Sequence, residues 1–274
     1  MASRDDDLAQ RVERICANTW PPIEEWLYDG WVLRFARGYT RRCNSVTPAQ
    51  PGKQPLAIKI EACEAAYAAR HIPVVFRLPS TAPETEALDA ALIERGYYSA
   101  DKTSIRLKPL DATLPEPEVE IDIASAMTSE WLAHQRRWSK LTAEQTATAA
   151  EIVAGIREPT AFALVWSGAI PVAAGIGVLQ QDLVCLHAII TAPEARRHGF
   201  GRALTLGLLR WARGKGAGAA YLQVIKSNTP ALRLYNELGF NREIYRYHYR
   251  GRPGERANPA PGGTAQPPVI PGTS

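Results

Sequence analysis

The heptapeptide RRHGFGR, Arg196 to Arg202, stands between an apolar run, LVCLHAIIT, and a leucine-rich run, ALTLGLLRWA. Its composition suits one kind of chemistry, the holding of an anion by backbone amides. Gly199 and Gly201 carry no Cβ, so the chain can turn sharply and a ligand can come close to the main chain. A strand that enters such a loop and leaves as a helix offers free N–H groups at the positive end of the helix dipole. Arg196, Arg197, His198 and Arg202 add cationic donors, and the arginine fork matches phosphate oxygens. The expected ligand is a phosphate or pyrophosphate. The dinucleotide pattern G-x-G-x-x-G does not apply, because its third glycine would fall at Leu204, and no G-K-[ST] follows. Taken alone, the heptapeptide also describes a tight turn with a solvated basic rim.

A second group lies in QVIKSNTPALRLYNELGF, where Asn228 follows a strand end and Tyr235 comes about two helical turns later. Singly, Asn228 could just cap a helix and Tyr235 could just fill a core. Together, the two segments resemble the GNAT superfamily of acyl-CoA-dependent N-acyltransferases over roughly residues 161–250. That family's loop, Arg/Gln-x-x-Gly-x-Gly/Ala, is met by Arg196, Gly199 and Gly201. Its later pattern, Asn-x-x-Ala-x-x-Leu-Tyr-x-x-x-Gly-Phe, is met by Asn228, Ala231, Leu234, Tyr235, Gly239 and Phe240. The stretch DGWVLRFARGYTRRCNSV is similar to the opening of a two-lobed bacterial GNAT group whose first lobe is itself a decayed GNAT half.

The resemblance implies a cofactor, acetyl-CoA, and places it. The loop from Arg196 through Arg197, His198, Gly199, Phe200 and Gly201 to Arg202 would cradle the pyrophosphate. The strand ending Ile189-Ile190-Thr191 would splay from its neighbour, so that the pantetheine arm pairs with backbone as an added strand. Asn228, with Ala231 beside it, would hydrogen-bond that arm, and Tyr235 would serve as general acid to the departing thiolate. The general base is less marked, since LVCLHAIIT holds no acid. His187 is its titratable group with a suitable pKa, although a satisfied core histidine fits equally well. Gln223 on the following strand could orient substrate or water. Arg41, Arg42 and Asn44 in GYTRRCNSV could wall a substrate pocket, with an arginine taking a carboxylate, or could merely close a turn. The aromatic strand YRYHYR suits sheet packing better than an aromatic cage.

These residues need elements to hold them, and the pattern supplies a mixed α/β lobe. AFALVWSGAIPVAAGIGVLQ predicts two strands about Ser167-Gly168, LVCLHAIIT a central strand and AAYLQVIK another. Leu204, Leu208 and Trp211 repeat at helical spacing up to the stop at Gly214 and Gly216. Asn228 or Thr229 can cap a short helix with Pro230 in its first turn and Gly239 at its end, before the last strand, FNREIYRYHYR. SEWLAHQRRW and TAEQTATAAEIVAGI predict two more helices. Upstream, IPVVFRLP, ETEALDAALIERGYY and KTSIRLK repeat the order strand, helix with Gly-aromatic end, strand. That echo suggests an internal duplication whose first copy lacks the glycine loop. The expected fold is a GNAT-type central mixed twisted sheet flanked by helices, in tandem.

The chain has 274 residues and a formal net charge of +4, with no apolar stretch of the roughly 20 residues a spanning helix needs. No long Lys/Arg run marks a nucleic-acid surface. The four cysteines are scattered, which predicts reduced thiols, a cytoplasmic protein and no metal site. The expected organisation is a degenerate first lobe over 1–110, a Pro/acid linker over 111–120, a catalytic lobe over 121–251 and a disordered Pro/Gly-rich tail over 252–274. The expected activity is transfer of an acetyl group from acetyl-CoA to a primary amine of a small molecule or amino acid, by a monomer or homodimer. Acetylation of a protein or peptide, and a non-catalytic acyl-CoA-binding module, are the alternatives.

Overall fold

In the computed structural model, which describes residues 4–110 and 113–252, eleven strands form one continuous mixed sheet with helices packed on it. The first part of the chain gives α1 (Arg4–Cys16), β1 (Glu24–Tyr28), β2 (Trp31–Phe35), β3 (Val46–Pro48) and α2 (Leu56–Ala68). It continues with β4 (Val75–Pro79), α3 (Thr85–Glu94) and β5 (Tyr98–Pro109). The second part opens with β6 (Ile121–Ala124), α4 (Ser129–Ser139), α5 (Ala143–Ala154), β7 (Thr160–Ser167) and β8 (Ile170–Gln180). It ends with β9 (Leu183–Thr191), α6 (Phe200–Gly214), β10 (Ala219–Ile225), α7 (Thr229–Glu237) and β11 (Arg242–Gly251). The tail expected from 252 lies outside the described residues from 253 on.

The duplication is plain in the connections. One unit runs β3-α2-β4-α3-β5 and the other β9-α6-β10-α7-β11, and the first two strands of each unit, β3·β4 and β9·β10, pair in parallel. The last strands change places. Across the sheet the order is β1-β2-β3-β4-β11-β5-β10-β9-β8-β7-β6. β11 therefore pairs with β4, and β5 pairs with β10, both antiparallel. Each half completes its sheet with the other half's final strand. The stretch between the halves is also tied down: Leu114 is buried, and its carbonyl accepts a hydrogen bond of 2.9 Å from Arg210 Nη1 on α6.

The helices of the second half start on side-chain caps, as their sequences lead one to expect. Thr128 Oγ1 accepts the Trp131 N–H at 3.0 Å, and Thr142 with Gln145 forms a reciprocal capping box. Asn228 Oδ1 accepts the Ala231 N–H at 3.2 Å to start α7. Strand alternation then divides the core between the two faces. Val184 and Leu186 of β9 join Leu204, Leu208 and Leu209 of α6. Leu183 and Cys185 point the other way, to Val12 and Ile15 of α1 and to Tyr245, Tyr247 and Tyr249 of β11. α1 is fastened there by Glu13, which pairs with Arg77 at 2.9 Å; Arg77 is only 2% exposed.

Candidate active site

β9 and β10 part company midway. They pair from Ala219↔Leu183 to Leu222↔Leu186. Beyond that point β10 stays with β5, as in Gln223↔Ile105 and Ile225↔Thr103, while β9 stays with β8, as in Ala174↔Ile190 and Ala173↔Thr191. A bulge sharpens the divergence, because the register of β8 and β9 shifts between Ala174 and Ile176, and Ala188 takes a φ of 50°. Gly175 sits opposite the bulge, where a Cβ would lie 2.5 Å from Ile189 Cδ1. The wedge between the strands is the splay expected at Thr191.

A cavity of about 130 Å³ passes through this wedge. On one side it is lined by Leu222, Val224, Asn228, Ala231 and Tyr235, and on the other by Trp20, Arg41, Arg42, His187, Gln223 and Tyr247. Alternation along β10 explains the division, since Leu222 and Val224 share the α6 core with Tyr235, whereas Gln223 meets Tyr247 of the opposite face. The site thus joins two chambers through the sheet.

The loop adjoins α7 beside Tyr235, where a Cβ on Gly201 would lie 3.4 Å from Leu234 Cδ2. Arg196, Arg197, His198 and Gly199 are exposed, and Arg197 and Gly199 take φ values of 68° and 81°. α6 has no side-chain cap at Gly199, unlike the three neighbouring helices α4, α5 and α7. Its first N–H groups are therefore left for an external anion. Nothing stands within 4 Å of where a Gly199 Cβ would be. Among the described residues Arg196, Arg197 and Arg202 have no acidic partner. Tyr235 packs edge-on against Phe240 at 5.9 Å between ring centres, and burial pushes its phenol up to about 12. Its hydroxyl has no hydrogen-bond partner among the described residues.

The first half has a topological counterpart to this loop that the sequence did not disclose, residues 49–55 between β3 and α2. There the anion position is filled from within. Asp29 accepts the backbone N–H of Lys53 and of Gln54, each at 2.9 Å, and Lys59 pairs with both Asp29 and Glu84. A Cβ on Gly52 would lie 2.2 Å from an Asp29 oxygen. The degenerate half is closed by its own carboxylate.

The other chamber corrects two sequence expectations. Asn44 does not line the cleft. Its buried amide braces the preceding loop, accepting from the Ala36 and Gly38 N–H groups at 2.7 and 2.9 Å and donating to the Thr40 carbonyl at 2.8 Å. His187 does line the cleft, but both ring nitrogens are engaged. Nδ1 lies 3.0 Å from Arg42 Nη1, a group that can only donate, so the ring proton sits on Nε2 and is donated to Thr19 Oγ1 at 2.9 Å. Burial, and then the Arg42 charge, hold its pKa well below 6.5. This is a neutral anchor for Arg42 with no lone pair to spare for a base.

Several lining residues escaped the sequence reasoning. Asp101 and Thr103 arrive on the exchanged strand β5, with Asp101 paired to Arg41. Trp20 lies beside His187 with ring centres 5.5 Å apart and the planes tilted by 35°, and Tyr247 and Tyr249 of the aromatic strand both pack and line the cleft. The four cysteines are buried, and none lines the cavity.

Comparison with known proteins gives a consistent picture. The family described as "Probable histone acetyltransferase Rv0428c C-terminal" matches residues 9–250. The uncharacterized N-acetyltransferase YobR of Bacillus subtilis is 27% identical over 250 residues, covering 89% of this chain and 98% of YobR. Among solved structures, a GCN5-related N-acetyltransferase from Kribbella flavida superposes with a TM-score of 0.67 at 18% identity, covering 93% of this chain and 97% of that one. A tandem GNAT protein from the clavulanic acid biosynthesis pathway gives 0.58 at 12% identity, with 91% and 87% covered.

Proposed function

The chain belongs to the GNAT acetyltransferase family whose pattern spans residues 9–250, and on that premise we propose that it moves an acetyl group from acetyl-CoA to a primary amine of a small molecule, by direct attack in a ternary complex. One observation carries the proposal. A single cavity lies at the β9–β10 wedge, with Asn228, Ala231 and Tyr235 on one side and a polar chamber on the other. A donor and an acceptor can meet there without displacing one another.

The residues on the loop side suit the cofactor. The uncapped start of α6, the open space at Gly199 and the unpaired Arg196, Arg197 and Arg202 fit a pyrophosphate. The edge of Ile189 to Thr191 that β10 leaves unpaired and the Asn228 side chain fit the pantetheine arm. When bound, acetyl-CoA supplies a thioester carbonyl as electrophile and a thiolate as leaving group. Overall the amine nitrogen bonds the acetyl carbon, the carbon–sulfur bond breaks, and the amine proton ends on the thiol. Tyr235 donates a hydrogen bond from Oη toward the sulfur. Asp101, the one carboxylate among the lining residues, pairs with Arg41 and would take the amine proton through water at its second oxygen. His187 holds Arg42. A covalent acetyl-cysteine route has no support, because Cys43 and Cys185 are buried away from the cleft and burial pushes both thiols up to about 12.

The charges argue for a small acceptor over a histone tail. Arg42 has no acidic partner among the described residues, and the adjoining groove carries Lys102 and Arg246. A lysine-rich peptide would meet like charge there. The test is thiol release from acetyl-CoA across a panel of small amines and basic peptides. Release above the hydrolysis background with a small amine is the expected result. Acetylation of the peptides alone would transfer the assignment to a protein substrate, and binding of CoA without turnover would leave a non-catalytic module.

A further inference from the structure

The polar chamber is short of hydrogen-bond acceptors in a specific way. Arg42 Nε, Gln223 Nε2 and Trp20 Nε1 are all buried donors without a partner, and all three residues line the same cleft. Two of these are fixed in place. Arg42 is held by His187 through Nη1, and Gln223 is held by the Tyr247 hydroxyl, which donates to its Oε1 at 2.8 Å. Buried donors left unmet are costly, so the chamber is poised for a ligand rich in acceptors. It is also short of negative charge: the lining carries Arg41 and Arg42 against Asp101 alone, and Asp101 is taken by Arg41.

A second observation points the same way. Thr103 and Tyr247 are shared with a neighbouring groove of about 580 Å³. In that groove Asp89 pairs with Arg250 and takes a hydrogen-bond contact of 2.8 Å with His248 Nε2, and Glu243 pairs with Lys226. Lys102 and Arg246 remain without an acidic partner among the described residues. The way in from this side is therefore positive, and it favours the approach of an anion.

We propose that the acceptor bears a carboxylate beside its amine, as an α-amino acid does, and that Arg42 and Gln223 bind that carboxylate. The proposal rests on the acetyl-transfer reading above and names the substrate class for it. A carboxylate supplies several lone pairs and one negative charge, which are the two things the chamber lacks. The arginine takes the charge, and the glutamine amide takes a second oxygen lone pair.

The experiment is a thiol-release assay with the twenty L-amino acids and, for each, its carboxamide, which keeps the shape and removes the charge. The best amino acid should exceed its amide in kcat/KM by at least about tenfold. Arg42→Gln should raise the KM for the acid by about 10- to 150-fold and abolish the preference, and Arg42→Lys should keep part of it. Amides turned over as well as acids, or Arg42→Gln slowing acid and amide alike, would overturn the proposal and leave acetyl transfer standing. Should no amine turn over, the acetyl-transfer reading fails on its own, and calorimetric titration of the same amino acids decides the carboxylate site. Binding to the wild-type protein that Arg42→Gln removes supports the site, and no binding to the wild-type protein overturns it.

Discussion

Replacing Tyr235 with phenylalanine separates catalysis from stability more cleanly than any other change in the cleft. The phenol is pushed up to about 12 by burial, against about 8.5 for an ordinary thiol. Full proton transfer from Tyr235 to a free thiolate would thus be uphill by about 3.5 pKa units, or about 5 kcal/mol. On the proposed reading the tyrosine is a hydrogen-bond donor whose bond strengthens as charge develops on sulfur, and donation to a charged acceptor is worth about 1.5–3 kcal/mol. Tyr235→Phe should accordingly lower kcat by about 10- to 150-fold, with the KM for acetyl-CoA little changed. The fold should not notice. The hydroxyl has no protein partner among the described residues, and the ring keeps its edge contact with Phe240, so stability should move by no more than about 0.5 kcal/mol. Steady-state thiol release with the best amine, alongside thermal melts, measures both quantities. Turnover within about twofold of wild type would refute the donor role. A large loss of melting temperature would refute the claim that the hydroxyl is free.

Other outcomes can be checked in the same way. Gly199→Glu should weaken CoA binding by calorimetry well beyond Gly199→Ala, because the alanine meets open space and only the strain of a φ of 81°, about 1–2 kcal/mol, while the glutamate sets a charge against the pyrophosphate. Glu13→Gln should cost about 3–5 kcal/mol by uncovering the buried Arg77 charge, read as a lower denaturation midpoint. Burial alone would raise the Glu13 pKa, but Arg77 outweighs it and holds the carboxyl below 4.5; its contribution is present above the unfolded value and fades as pH falls through the folded one. His187 works in the same direction at higher pH. The unfolded imidazole takes a proton near 6.5 while the buried one stays neutral, so the unfolded state binds more protons and stability falls as pH drops below about 6.5. His187→Gln should flatten the slope of melting temperature against pH between about 5 and 6.5. An unchanged slope would show that the ring is already charged in the fold.

What the sequence disclosed was local. The loop at Arg196–Arg202 and the pair Asn228 and Tyr235 lie on one βαβα segment, so spacing along the chain mirrors spacing in space. The helix caps were legible for the same reason. Asp101 and Thr103 were not, because they enter the cleft on a strand given by the first half to the second, and no periodicity within β5 records its neighbours. Asn44 misled through its type: an amide after two arginines suits a pocket wall, yet its partners are four backbone groups of its own loop. Strand alternation in LVCLHAIIT puts His187 on the face of Cys185, and the bulge at Ala188 then turns Ile189 toward α6. What it could not show was that Arg42 and Thr19 would occupy both nitrogens.

The exchange of last strands also sets an order of events at the ribosome. When residue 110 emerges, β4 still lacks the neighbour it will finally have, since β11 closes with Tyr247↔Pro79 and Gly251↔Val75. The nascent first half must wait, with a sheet edge open, for about 140 further residues (110 to 251). The cleft wall carried by Asp101, Thr103 and Tyr247 is completed by the last strand to be made. A chain that stopped before β11 would keep Arg42 and Gln223 but lose Tyr247, whose hydroxyl fixes the Gln223 amide, so the last strand made is the one that finishes the polar side of the cleft.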